Sequence, residues 1–295
     1  MILLKTNIRK KILDSYNMIE QIGILGLIFG QSLMSLYSVS TKLISLNTFS
    51  QVLARCVIFG LSGLFFGSFN LVSLLSNFNM WHISLIQLIH VYSSYTGFNN
   101  LNAGMAMSLF YLYPIFGLLL SGKFNFGLLL RFLISLLGVV IMCFKSFSLS
   151  NNFIIGLIGI LIAGLTEAYG YVKIAQDNYT NPFDSLSMLY FGGLIILLFI
   201  AFVKPSILEN FTNIEFGKAL SFNLTIGLIG SLLTYWAINV LRIETFFNMA
   251  YPSVITAYLF GWLLLNEKIM ITDIIGSILI LTGVNLSQSF INNNL

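Results

Sequence analysis

Charge is what this chain has least of. Asp, Glu, Lys and Arg make up 8% of its 295 residues, against about a quarter in a soluble domain, while 57% are hydrophobic and 15% aromatic. So few charges cannot cover a water-facing surface, so the bilayer is the solvent. Cysteine is nearly absent: Cys56 and Cys143 sit in apolar runs (ARCVIF and VIMCFK) without CxxC spacing, which excludes a zinc or dithiol centre and reads as core filling. There are two histidines, His82 and His90, and no GxSxG, HExxH, Walker-type GKS/T or DxD-like cluster, so an intramembrane enzyme is the remote alternative and no cofactor is expected. Basic residues are scattered singly outside the N-terminus, so despite a net charge of +4 there is no groove for nucleic acid.

What is present is a succession of long apolar segments. They lie near residues 20–41, 52–69, 80–98, 102–121, 126–145, 153–175, 186–203, 222–241, 245–265 and 269–287, which predicts an all-α integral membrane protein of ten transmembrane helices. Runs such as Gly193 to Val203 are apolar on every side, unlike the alternating segments of a membrane barrel. Met1 to Asn17 carries Lys5, Arg9, Lys10 and Lys11 with no small-residue cleavage site after it, so the first helix is expected to be retained. With that basic tail inside, Lys123, Arg131, Lys173 and Arg242 fall on the cytoplasmic side, and Lys42, Arg55, Lys145, Lys204, Lys218 and Lys268 outside. Both termini are therefore expected in the cytoplasm, in a bacterial inner membrane. Arg55 and Arg131 read as snorkelling anchors, and Glu267-Lys268 as a turn.

The chain repeats itself. Gly23 onward (GILGLIFGQSLMSLYSVSTK) aligns with Gly156 onward (GLIGILIAGLTEAYGYVKIA), placing Gly23 on Gly156, Gly26 on Gly159, Gly30 on Ala163 and Met34 on Glu167. Tyr95 to Asn99 falls on Tyr235 to Asn239 and, at the same offset, Tyr111 on Tyr251; Lys123 to Gly138 matches Lys268 to Gly283 in length. The predicted organisation is a basic tail (1–18), a first five-helix repeat (19–147), a second (148–289) and a short C-terminal tail (290–295). An odd number of crossings per repeat forces the copies to enter the membrane in opposite directions, and inverted copies enclose a mid-membrane site that opens alternately to either side.

The segments LFYLYPIFGLLLSGKF with RFLISLLGVV, and FFNMAYPSVITAYLFGWLLLNEKIMITDIIGSILILTGV, resemble the two copies of the EamA-type permease repeat of the drug/metabolite transporter superfamily. Gly261-Trp262, Glu267, Gly276 and Gly283 carry the most specific part. The first half departs from the pattern at Gly122-Lys123, which lacks the acidic residue, and Pro252 leaves Val254 in the proline's usual place. The resemblance implies secondary-active transport of a small organic metabolite, an amino acid or related compound, with S-adenosylmethionine or another organic cation as the alternative cargo; nucleotide sugars rank last because the spans show almost no cations.

Ionisable groups inside a bilayer are functional candidates by default. Glu167 continues the small-residue stripe Gly156, Gly159, Ala163, Gly170 and should point into the bundle, where removal from water favours a carboxyl's neutral form and suits it to carry a coupling proton. His90 shares a polar face with Gln87 and Ser94. Tyr95, Asn99, Tyr235 and Asn239 recur in both halves, and Gln31, Trp236 and Tyr251 complete the expected solute-binding set. No metal site is expected; the partners are the solute, lipid and protons, and the chain is expected to act as a monomer or weak homodimer.

Overall fold

The computed structural model describes residues 2–122, 126–144, 151–177, 179–208, 211–249 and 251–285, with the backbone alone for 2–17, 128, 144, 244 and 285. The charged groups expected at Lys5, Arg9, Lys10, Lys11, Lys123 and Lys145, the 147/148 boundary and the C-terminal tail lie outside what is described.

Every regular element among these residues is helical. In chain order they are α1 (Ile2–Met34), α2 (Tyr37–Leu43), α3 (Thr48–Phe66), α4 (Leu71–Ser76), α5 (Phe78–Asn100), α6 (Ala103–Phe110), α7 (Tyr113–Leu120) and α8 (Phe126–Phe144) in the first half. The second half has α9 (Asn151–Asp177), α10 (Pro182–Val203), a 3-10 turn (Pro205–Leu208), α11 (Asn213–Phe222), a π turn (Asn223–Gly227), α12 (Leu228–Val240), α13 (Ile243–Met249), α14 (Pro252–Leu265) and α15 (Ile271–Asn285). Seven stretches are long and apolar enough to cross a membrane: Met18–Leu43, Thr48–Phe66, Ala103–Leu120, Asn151–Asp177, Pro182–Val203, Asn213–Val240 and Thr245–Leu265. Two shorter apolar helices, Leu129–Cys143 and Ile271–Val284, accompany them. α5 is long enough at 23 residues but too polar to count with the seven, because Ser84, Gln87, His90 and Ser94 lie along it. The outer surface is apolar, with Phe202 84%, Phe199 67%, Val140 48% and Ile278 56% exposed, as a lipid solvent requires.

Local chemistry sets the boundaries. Asn47 accepts from Ser50 N and starts α3 at Thr48, four residues before the expected edge. Thr212 accepts from Glu215 N and starts α11, so part of the connection expected across 204–223 is helix. The expected tail is also helical from Ile2 and continuous with α1; residues 2–18 contain neither glycine nor proline to stop it. Pro114 and Pro252 each lack the N–H that would bond the carbonyl four residues back, and the chain breaks between α6 and α7 and between α13 and α14.

The packing has one repeating logic. α5 lies along α9 as α1 lies along α12, while α3 packs on α10, α6 on α14 and α8 on α15. Missing side chains let the backbones approach. A Cβ at Gly156 would meet Asn100 and Leu101, and one at Gly23 would meet Val240 and Leu241. One at Gly159 would meet Ser93, Thr96 and Gly97, and one at Gly26 would meet Leu233 and Trp236. One at Gly138 would lie 2.6 Å from Gly276 O and close to Ile280; one at Gly283 would lie 2.7 Å from Arg131 O and close to Ser135. In each case the second set of contacts is the first moved by the sequence offsets read above. Arg131, expected as an exposed anchor, is buried in this α8–α15 pair.

Candidate functional site

A cavity of about 30 Å³ lies at the centre of the bundle, where α1, α2, α3, α5, α6 and α9 converge. That is room for a couple of waters, so the path is closed around a small polar centre. Gln31, Arg55, His90, Ser94 and Glu167 bring polar atoms to it; Met34, Phe98, Met107 and Phe110 supply its apolar wall.

His90 and Glu167 meet there. His90 Nε2 lies 3.3 Å from Glu167 Oε2, both residues are buried, and His90 Nδ1 lies 3.0 Å from the Ala163 carbonyl. A carbonyl only accepts, so Nδ1 carries a hydrogen and Nε2 faces the carboxyl. Nε2 and Oε2 therefore face each other across 3.3 Å inside the bundle. Tyr171 places its hydroxyl beside the same carboxyl. The equivalent contact in the other half is Met34 against Gly230 and Ser231. The titratable pair therefore exists on one side of the internal symmetry alone.

Arg55 is the residue the sequence reading misplaced. It is 4% exposed and lies on the cavity, away from any interface. Its guanidinium sits 4.3 Å over the Tyr37 ring, 5.2 Å from Phe59 and 5.5 Å from Tyr190, and Nη2 donates to Tyr190 Oη at 2.9 Å. Gln87 Nε2 donates to the same hydroxyl at 2.9 Å. Tyr37 donates to Asn223 Oδ1 at 2.6 Å, where the π turn widens the helix and Gly227 leaves room: a Cβ there would lie 2.1 Å from Tyr37 Oη. The signal was legible, since Arg55 is flanked by Val52-Leu53-Ala54 and Cys56-Val57-Ile58, but an arginine near a helix start reads first as an anchor.

The other expected residues divide. Gln31 lines the cavity and reaches Thr234 Oγ1 at 3.5 Å. Tyr95 is buried against Tyr37 with its hydroxyl near Arg55, and Tyr235 meets the Tyr190 hydroxyl. Trp236 instead fills the space over Gly26 between α1 and α12. Tyr251 lies at the break before α14, near Tyr111. Asn239 donates to the Tyr179 carbonyl at one end of the bundle. Asn99 is exposed, because α9 crosses α5 on the side of Gly97, Asn100 and Leu101 and leaves Asn99 turned outward.

The two ends of the bundle differ. At one, Asn266 in the left-handed conformation (φ 53°) ends α14 and turns Glu267 back over Gly261, where a Cβ would lie 2.7 Å from Glu267 Oε2. Glu267 pairs with Lys42 at the end of α2 and accepts Ala103 N, 2.7 Å, at the start of α6. Three helix ends are latched together. At the other end the equivalent positions are Ala175, Gly122 and Ile243. Ala175 and Ile243, with Ser121, Gln176 and Asn239, line an open vestibule of about 360 Å³. Tyr179, which closes its margin, is held neutral: burial first, then its bond to Asp177, raises its hydroxyl above the usual range.

The chain is a multi-pass helical membrane protein with a small polar cavity among its buried residues. Residues 154–287, a little under half of the chain, match the model of the EamA-like transporter family, and that part of the chain is similar to EamA-type transporters. No curated protein matches significantly. Among 22 matching solved chains is one described only as a crystal structure of a protein, similar over 96% of this chain and 99% of its own with a TM-score of 0.63 at 14% identity, a likeness of fold.

Proposed function

We propose that this chain is a secondary-active, alternating-access transporter of a small organic metabolite, an amino acid or related compound, coupled to protons through Glu167 and His90. In this reading the seven long spans, α5, α8 and α15 make ten crossings in two inverted five-helix repeats, acting as a monomer or weak homodimer. Both termini face the cytoplasm of a bacterial inner membrane.

The observation that carries the reading is the broken symmetry of the bundle ends. Lys42, Glu267 and Ala103 are tied together on one side, while two of their three equivalents, Ala175 and Ile243, line a vestibule on the other. Inverted repeats whose contacts interchange under the offsets of the internal repeat reach the reverse arrangement by exchanging conformations. The buried contact of His90 with Glu167 supplies the centre with groups able to take up and release a proton, which is what coupling requires. Arg55 weighs against an organic cation as cargo, since it places a permanent positive charge on the cavity.

The test is flux in proteoliposomes. Glu167→Gln keeps an amide beside His90 but cannot release a proton, so uptake driven by a pH gradient should stop while solute exchange continues. Gradient-driven uptake at the wild-type rate would defeat the proton role.

A further inference from the structure

Arg55 brings a buried guanidinium to the cavity and makes no ion pair among the described residues. The ion pairs among the described residues are Lys42–Glu267, His90–Glu167 and Lys218–Glu215, and none involves Arg55. Glu167 lines the same cavity but its contact is with His90. A guanidinium does not escape burial by losing a proton. Its surroundings are rings and hydroxyls: Tyr37, Phe59 and Tyr190 stack on it, Tyr190 takes one N–H, and Nε has no partner. Rings stabilise a cation but do not neutralise it, and a buried unpaired charge is costly. A residue held this way is prepared for an anion that arrives from outside.

We propose that Arg55 docks a carboxylate of the transported solute, so that the cargo is a small carboxylic acid with an apolar body. This rests on the transporter reading above. The planar guanidinium matches a carboxylate in geometry and in charge, and one cation balances one carboxylate. A phosphate would call for a second cation; none of the other residues lining the cavity is a lysine or arginine, and Lys42 is engaged by Glu267. Met34, Phe98, Met107 and Phe110 form the wall against which an apolar body rests. Two sources supply the same carboxylate. A simple monocarboxylate engages Arg55 alone. An amino-acid zwitterion engages Arg55 with its carboxylate and offers its ammonium to Glu167 on the same cavity.

The experiment measures thermal unfolding of the purified full-length protein with matched sets built on alanine, leucine, methionine and phenylalanine: the amino acid, the deaminated acid and the amide. Compounds with a free carboxylate should stabilise the wild type and the amides should not. The half-saturating concentration should rise about tenfold in Arg55→Lys, and stabilisation should vanish in Arg55→Gln. If both variants fail to fold, the acid-against-amide comparison on the wild type decides. Stabilisation by amides equal to that by acids, no stabilisation by any acid, or unchanged binding in Arg55→Gln would overturn the proposal. Comparing amino and deaminated acids identifies the source. Carboxylate binding without flux of the bound compound in proteoliposomes would sink the transporter reading and leave the Arg55 site standing.

Discussion

Glu267→Gln is the most direct probe of the latched end. The side chains of Lys42 and Glu267 are 20% and 14% exposed, so the pair is shielded more than a surface ion pair but lies at the bundle's edge. Exposed pairs contribute about 0.2–1 kcal/mol, and hydrogen bonds to charged groups about 1.5–3 kcal/mol. Glutamine keeps an oxygen to accept Ala103 N and loses only the charge facing Lys42. The closed end should therefore lose about 1–2 kcal/mol relative to the open one, a shift of about 5- to 30-fold in population. The reporter is Met107→Cys, which lies on the cavity one turn inward from Ala103, in a background with Cys56 and Cys143 replaced by alanine. An impermeant maleimide applied from the latched side should label it about 5- to 30-fold faster after Glu267→Gln. Lys42→Gln should act alike, and the double variant should add little to either, because one interaction is removed in all three. Unchanged labelling, or fully additive effects, would refute the latch.

Two further outcomes follow from packing and hydrogen bonding. A Cβ at Gly97 would lie 2.7 Å from Ile160 Cδ1 and 3.2 Å from Gly156 O, so Gly97→Leu should force α5 off α9 and lower stability by about 1–3 kcal/mol or more, read as a fall in melting temperature in detergent. Gly217, with nothing within 4 Å of an added Cβ, is the control whose alanine variant should melt near the wild type. Tyr37→Phe removes the donor to Asn223 Oδ1 inside the bundle, which should cost about 1–3 kcal/mol; a melting temperature unchanged within error would show that the π turn does not depend on that bond.

How far the sequence could be read depends on which physical signal each residue carried. Glu167 was readable because its stripe of small residues prescribes a helix-facing side, and Gly156 and Gly159 do meet α5. Its closeness to His90 was not, because those residues lie on helices joined through three others and their contact is fixed by the depth at which α5 and α9 cross. Tyr95 and Asn99 stand one turn apart, yet one is buried and the other exposed; helical periodicity gives a face and not the neighbour that covers it. The ends of the bundle differ because Glu267 has no acidic counterpart in the first half, and that departure was visible in the sequence although its consequence was not.

By itself, the sequence determined the solvent, the helical class and the internal register, because hydrocarbon admits few charges and a repeated order of small residues repeats the same close approaches. Only the tertiary structure decided that Arg55 belongs to the cavity, that His90 and Glu167 meet there, and that Glu267 ties Lys42 and Ala103 together at one end of the bundle. Those depend on separations of a few ångströms between residues distant in the chain, and no local pattern encodes such distances.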